Sequence, residues 1–304
     1  MCGLVGYSGE FKVLALMRGM SNISHRGPDD SGIYVDESAA IGLGHLRLSI
    51  VDLSPAGHQP MLGAEGMVAL VFNGEIYNFP VLRDELLSKG YVFQGHSDTE
   101  VLLNLYLAEG EAMLSRLNGI FAFALWDARS QTMLLARDGL GVKPIYFAET
   151  PAGVAFASEV KGLLPLIPVD RELDLASIHR YLSFLWCPGE GTPLKAVRKL
   201  LPGEAMVLRE GRIARRWIWY QLPLLRSVKA DLSEAASIAG TADMLRKAVQ
   251  RQMVADVPLG AFLSGGLDSS AVVAFAREMN PDIHCFTIES VGGRGLKLDP
   301  GADD

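Results

Sequence analysis

The stretch from residue 221 to residue 233 divides the chain. It holds a proline, scattered charge and no sustained hydrophobic period, so it reads as a linker. Residues 1–220 read as short apolar strands punctuated by helices, without regular strand-helix alternation. Residues 234–304 open instead on a helix, an apolar strand, a Gly-Gly turn, a second helix and another strand. The first pattern predicts an α+β fold of layered sheets, the second the beginning of a parallel α/β sheet.

In the first segment, strands are expected at 2–8, 31–35, 39–50, 67–73, 119–126, 132–137, 144–149, 152–157, 204–208 and 212–219. Helices are expected at 11–20, 80–89, 98–109, 158–164 and 174–184, where apolar residues recur every three or four positions. Within 39–50, Leu46, Leu48 and Ile50 alternate with His45, Arg47 and Ser49, which places Arg47 on a polar face, toward ligand or solvent. In the second segment, helices are expected at 234–253 and 269–279 and strands at 258–263 and 283–288. About 75 residues fall short of the roughly 100–150 of a complete domain, and the tail 292–304 adds no element. The chain therefore reads as a fragment, or as the product of a shortened reading frame.

Composition excludes several classes of function. Thirty-five acidic against 28 basic residues give a net charge of −7, and no basic cluster exists to displace counterions from nucleic acid. The N-terminus lacks the basic start and apolar run of an export signal, and no stretch approaches a bilayer span. Cys2, Cys187 and Cys285 lie too far apart for a zinc framework, and they suit a reducing, cytoplasmic setting. His25, His45, His58, His96, His179 and His284 show no metal-ligand spacing and read as polar-face or turn histidines, so no protein-held metal is expected.

Four features carry chemistry. Removal of Met1, which a small second residue permits, would leave Cys2 bearing both a thiol and a free α-amine, a nucleophile with its own base. Alone, Cys2 reads better as an incidental buried cysteine. Asn73-Gly74 between apolar runs is a hairpin-turn signal, and on spacing the turn is the better reading. The same pair offers an amide and a close-approaching backbone N–H to an oxyanion. Ser97-Asp98-Thr99-Glu100 is a capping box, and its Asp98 also suits a substrate ammonium, as the Arg47 fork suits a carboxylate. Ser264-Gly265-Gly266-Leu267-Asp268-Ser269-Ser270 joins a strand to a helix N-terminus and reads as a phosphate-binding turn. It is neither a Walker A loop nor a dinucleotide fingerprint.

Together these blocks resemble the glutamine-dependent asparagine synthetases of the bacterial B type. Met1-Cys2-Gly3 and His25-Arg26-Gly27-Pro28-Asp29 carry the likeness first, followed by Arg47 to Asp52, Phe72 to Asn78 and Ser97 to Glu100. Ala136 to Tyr146, Phe156 to Glu159 and Ser264 to Ser270 complete it in the family's order. The resemblance implies an N-terminal-nucleophile (Ntn) glutaminase domain over 1–220, a four-layer αββα sandwich. It also implies an incomplete ATP-pyrophosphatase-like domain over 234–304.

By the same resemblance Cys2 is the nucleophile, Asn73 and Gly74 form the oxyanion hole, and Arg47 and Asp98 hold the glutamine α-carboxylate and α-amine. Ile50 and Val51 add backbone contacts, and Glu75 lies beside the ligand. Ser264, Gly265, Gly266, Leu267, Asp268, Ser269 and Ser270 would cradle the phosphates of ATP, which brings Mg²⁺ with it, while Leu263 and Ile288 line the adenine pocket. The implied reaction is transfer of ammonia from glutamine to aspartate through a β-aspartyl-AMP intermediate, in the cytoplasm, by a chain that forms a homodimer. Three alternatives remain open. One is an amidotransferase for another acid, such as a sugar acid or a β-lactam precursor. The second is an enzyme of the phosphoribosylpyrophosphate amidotransferase or glucosamine-phosphate synthase kind. The third is a non-catalytic protein that keeps Met1.

Overall fold

The computed structural model describes residues 1–167, 171–223 and 232–288. Part of the expected linker (224–231) and the tail 292–304 lie outside the described residues. Two compact units emerge, Met1–Pro223 and Leu224–Asp304.

The first unit runs β1 (Gly3–Gly9), α1 (Val13–Asn22), β2 (Asp30–Asp36), β3 (Ile41–Arg47), β4 (Met61–Gly63), β5 (Val68–Ile76), α2 (Phe79–Ser88), α3 (Asp98–Glu109) and β6 (Gly119–Asp127). It continues with β7 (Thr132–Arg137), β8 (Tyr146–Thr150), β9 (Gly153–Ala157), α4 (Val160–Leu163), α5 (Leu175–Phe184), β10 (Arg198–Lys199), β11 (Glu204–Arg209) and β12 (Arg212–Ile218). Two six-stranded antiparallel sheets result, ordered β10-β8-β9-β1-β3-β2 and β12-β11-β7-β6-β5-β4.

Apolar residues on both faces of the central strands explain the layering. In β5, Val68, Leu70 and Phe72 join a core with α2 and α3, while Ala69 and Val71 face a second core shared with Leu4, Leu43 and Phe156 of the other sheet. In β6, Phe121, Phe123 and Leu125 point to the helices, and Ala122, Ala124 and Trp126 to the opposite sheet. Val5 and Tyr7 of β1 pack with Leu16, Met20 and Ile23 of the α1 region in a third core. A sheet buried on both faces shows continuous rather than alternating hydrophobicity, and three cores between four layers make this the αββα sandwich that the resemblance implied.

The strand expected at 39–50 ends at Arg47, so Leu48, Ser49 and Ile50 belong to the loop that follows. The strand expected at 67–73 runs on to Ile76, and Asn73-Gly74 forms no hairpin turn: Asn73 pairs with Ala122 and Gly74 with Phe121 across β6. A side chain at position 74 would meet the Ile120 carbonyl at 2.3 Å, so the glycine serves a close strand approach rather than a turn. The capping box forms by half. Ser97 Oγ accepts from the Glu100 N–H at 3.2 Å, but the Glu100 carboxylate turns to the Gln94 and Gly95 N–H groups instead.

The second unit comprises α6 (Glu234–Arg251), β13 (Gly260–Phe262), α7 (Leu267–Met279) and β14 (His284–Phe286). The two short strands are parallel, with Ala261 opposite Cys285. This is the strand-turn-helix-strand order expected of an α/β nucleotide-binding sheet. Among the described residues no helix is long and apolar enough to cross a membrane.

Candidate active site

Odd-numbered residues of β5 face the opposite sheet, so Asn73 and Glu75 continue the line of Ala69 and Val71 toward the end of the sandwich where β1 begins. Cys2 immediately precedes β1. The Arg26 side chain fixes it there: Nε donates to the Cys2 carbonyl at 2.9 Å and Nη1 to Glu159 at 3.0 Å, while the buried Nη2 has no hydrogen-bond partner. The Cys2 sulfur accepts from the Leu48 N–H at 3.4 Å. Burial pushes the thiol pKa up, opposed by the Leu48 backbone contact and the nearby α-amine. The Met1 amine is pushed down, by burial first and then by the Arg26 and Lys143 charges.

Cys2, Arg47, Ile50, Val51, Gly74, Glu75 and Asp98, seven of the residues expected to handle glutamine, line one cleft together with Leu48, Gln59, Phe72 and Thr99. Its free volume is about 30 Å³, room for water but not for an amino acid. A larger cavity, of about 580 Å³, lies at the far end of β1 among hairpin turns and holds none of these groups.

Arg47 faces the cleft rather than solvent. It is buried, and among the described residues its guanidinium meets no acidic side chain. It donates instead to the backbone carbonyls of Val51 (3.3 Å), Asp52 (2.5 Å) and Ser54 (3.4 Å). Three of its five N–H groups are thereby spent, and two remain for a carboxylate. His45, expected on a polar face or turn, is fully buried instead. Its Nε2 donates to the Phe72 carbonyl at 2.9 Å, and burial lowers its pKa to about 4, which keeps it neutral.

Asn73 is 1% exposed, and its amide Nδ2 is buried without a hydrogen-bond partner among the described residues. A buried donor left unpaired costs stability. Asp98 is also buried. Its carboxylate accepts from the Ile76 N–H at 2.9 Å and from Thr99 Oγ1 at 3.5 Å. Burial lifts its pKa to about 6 and, with the Asp98 charge as the second cause, raises Glu75 as well. The two carboxyls thus retain a proton near neutral pH, a place that a cation can take.

Several groups at this site escaped the sequence reading. Gln59 carries the Phe72 N–H on its Oε1 at 2.7 Å, which anchors the strand beside the cleft. Lys143 is buried near Cys2 and Glu75, and burial lowers its pKa. It is held by Asp138, whose buried carboxylate accepts from the N–H groups of Phe121, Leu140, Val142 and Lys143 at 3.0–3.1 Å. The Asp-Gly-Leu-Gly-Val-Lys spacing of residues 138–143 was the available signal, since an Asp followed by glycines commonly gathers backbone N–H groups.

In the second unit, α7 begins at Leu267 with Gly266 as its N-cap and no side-chain cap, which leaves backbone N–H groups open to an anion. Gly265 has φ +80°, a conformation suited to glycine. Ser264 and Ser269 bond to each other at 3.0 Å, and Ser269 Oγ donates to the Gly266 carbonyl at 3.0 Å. Gly265, Gly266, Leu267, Asp268 and Ser270 are exposed, and Leu263 joins β14 through the Phe286 carbonyl. Ile288 does not end a strand as expected: β14 stops at Phe286, and Ile288 is exposed beyond it. Among the described residues no group of three or more His, Cys, Asp or Glu side chains could hold a metal ion.

Comparison with known proteins places this geometry. Residues 1–219 match the profile of the glutamine amidotransferase domain, and residues 240–303 that of asparagine synthase. The chain is 37% identical over 296 residues to asparagine synthetase [glutamine-hydrolyzing] 1 of Bacillus subtilis (strain 168), covering 95% of this chain and 46% of that protein. It is 34% identical over 258 residues to amidase chry2 of Gibberella zeae, covering 84% of this chain and 38% of that protein. The chain thus spans about half the length, or less, of these curated relatives. Among solved structures, glutamine phosphoribosylpyrophosphate amidotransferase from B. subtilis, complexed with ADP and GMP, shares the fold at a TM-score of 0.55 and 18% identity. That match covers 99% of this chain and 69% of the other.

Proposed function

We propose, from the premise that the chain belongs to the glutamine amidotransferase domain family, that it releases ammonia from glutamine at Cys2. The observation that carries the proposal is the unpaired, buried Asn73 amide beside the cleft that Cys2 lines. Such a donor suits charge that appears only in the transition state.

With Met1 removed, the Cys2 α-amine takes the thiol proton and the sulfur attacks the glutamine side-chain carbonyl carbon. The oxyanion formed accepts from the Asn73 amide and the Gly74 N–H. On collapse the C–N bond breaks, and the ammonium proton goes to the departing nitrogen, which leaves as ammonia. Water then adds to the thioester, giving a proton to the amine. The C–S bond breaks, glutamate leaves, and the thiolate recovers its proton. Arg47 holds the substrate α-carboxylate, Asp98 and Glu75 its ammonium, and the Ile50 and Val51 backbone closes the cleft. Lys143 and Arg47 add positive potential around the sulfur and favour the thiolate.

A pH dependence follows. The Asp98–Glu75 pair must lose its proton to hold an ammonium, and burial raises both carboxyls above the ordinary carboxylate range. The protonated pair binds the cation poorly, so the KM for glutamine should rise as pH falls below neutral, by up to about tenfold per unit for each proton taken up. Asp98→Asn should flatten the profile. Steady-state glutaminase kinetics between about pH 5 and 8 test this, and a wild-type KM that is constant across the range would remove Asp98 from its role.

The second unit extends the proposal to ATP-dependent amidation. The open N-terminus of α7 fits phosphate oxygens, with Ser264 to Ser270 around them and Leu263 and Ile288 toward the base. Mg²⁺ arrives with the nucleotide. Bound ATP would activate an acid as its adenylate for attack by ammonia, with aspartate the first candidate and asparagine the product. The amidase among the relatives favours a second reading, in which another acid is the acceptor. Pyrophosphate release measured across a panel of acids with ammonia distinguishes the two. A cytoplasmic setting would keep the thiol reduced, and a homodimer belongs to the same proposal.

A further inference from the structure

We propose that Asp52 is a positioning residue for glutamine, the joint that keeps the carboxylate-binding and ammonium-binding halves of the cleft in register. This inference rests on the reading of Arg47 and Asp98 as the glutamine clamp.

Asp52 is fully buried and stands at a left-handed backbone position, φ +58°. Its two ends serve different elements. The backbone carbonyl accepts from Arg47 Nη2, as does that of Val51, and so fixes the guanidinium to the loop after β3. Of the side-chain oxygens, Oδ1 serves its own loop and Oδ2 reaches the loop that precedes α3. Oδ1 accepts from the Ser54 N–H at 3.1 Å and the Ser54 hydroxyl at 2.5 Å, and Oδ2 accepts from the His96 N–H at 2.8 Å. The His96 ring, with Nδ1 at 3.7 Å, also faces Oδ2.

The second loop is itself rigid. Glu100 holds the N–H groups of Gln94 and Gly95, Arg83 donates to the Gly95 carbonyl, and Ser97 caps the helix whose first residue is Asp98. One residue therefore spans from the Arg47 fork to the turn carrying Asp98. Contacts along this joint are close: a side chain at Gly95 would stand 2.1 Å from Asp52 Oδ2, and one at Gly57 would stand 1.9 Å from Arg47 Nη2.

The carboxylate crosslink ties the carbonyl cradle of Arg47 to the turn carrying Asp98, so the two ends of the clamp keep their spacing. Glutamine is gripped at both ends of its backbone, so an error in this spacing weakens substrate binding. The oxyanion donors lie on β5, and the thiol, just before β1, touches the loop after β3 only at its first residue, Leu48, remote from the Asp52 carboxylate contacts.

Asp52→Asn isolates the joint. Asn tolerates the left-handed backbone and keeps an acceptor for Ser54, but it turns an amide NH₂ on the His96 N–H. The expected result in steady-state glutamine hydrolysis by the full chain is a KM raised about tenfold or more, with kcat lowered less than about threefold. Alkylation of Cys2 by iodoacetamide should proceed at the wild-type rate. His96→Ala, which removes the exposed ring that faces Oδ2 across the joint, should shift KM in the same direction by less, and it decides the matter alone if Asp52→Asn fails to fold. A wild-type KM in these variants overturns the proposal, as does a fall in kcat that matches or exceeds the rise in KM. Arg47→Ala is the control: if it leaves KM unchanged, the clamp reading fails, and the role of Asp52 with it.

Discussion

Cys2→Ala should lower glutamine hydrolysis by at least about 10³-fold, to a level set by adventitious water attack. The change is a clean one. Cys2 is only partly buried, and among the described residues its sulfur hydrogen-bonds with the Leu48 peptide, the N–H at 3.4 Å and the carbonyl at 3.6 Å. Alanine at position 2 is as small as cysteine, so Met1 processing should be preserved. The Arg26 bond to the residue 2 carbonyl also survives, because it uses backbone. Loss of activity is therefore attributable to the thiol rather than to folding. Cys187 and Cys285 replaced by serine should leave hydrolysis at the wild-type level, since neither lines the cleft. Ammonia release measured on the three variants checks this, and Cys2→Ala that still hydrolyses glutamine would remove the nucleophile assignment.

Asn73→Ala carries the second large effect, and it should separate activity from stability. Most substitutions of a buried asparagine destabilise because they break hydrogen bonds. Here the Nδ2 donor makes none in the folded protein, so its removal relieves an unpaired polar group. The thermal midpoint should stay level or rise, while kcat falls by about 10²–10³, equivalent to about 2.7–4 kcal/mol of transition-state stabilisation. KM for glutamine should change little, because the donor meets charge that the ground state lacks. A fall in stability with unchanged kcat would show a structural amide instead. Gly74 cannot be tested the same way. Any Cβ there would press on the Ile120 carbonyl and Phe121 and disturb the β5–β6 ladder before it altered an oxyanion contact.

Elements set by local pattern were legible in the amino-acid sequence. Helix 98–109 and strand 132–137 fall where the hydrophobic period places them, because an apolar helix opened by Ser97 and a strand ended by Arg137 have few rivals. Asn73-Gly74 misled for a physical reason. The turn propensity of Asn-Gly is real, but continued pairing with β6 as far as Gly119 outweighs it, and the polar pair is kept within a strand. Arg47 misled through its neighbours: alternation past residue 47 suggested a strand, whereas the chain leaves the sheet there and folds its carbonyls around the guanidinium.

The resemblance brought Cys2, Arg47, Ile50, Val51, Asn73, Gly74, Glu75 and Asp98 together, and in the structure all of them but Asn73 line one cleft. Their supports were not legible. Asp52 meets His96 across 44 residues, Arg26 meets Glu159 across 133, and Asp138 meets the Phe121 N–H across 17. No local period encodes contacts of that range. Sheet pairing creates them, and they become visible only once β1, β3 and β5 lie opposite one another.

A diazoketone analogue of glutamine reacts irreversibly with a thiolate held in a glutamine site, and peptide mass spectrometry then locates the bond. The account predicts one adduct per chain, on a Cys2 that has lost Met1, with labelling suppressed by excess glutamine. An adduct on Cys187 or Cys285, labelling indifferent to glutamine, or an unreacted Cys2 behind a retained Met1 would contradict it.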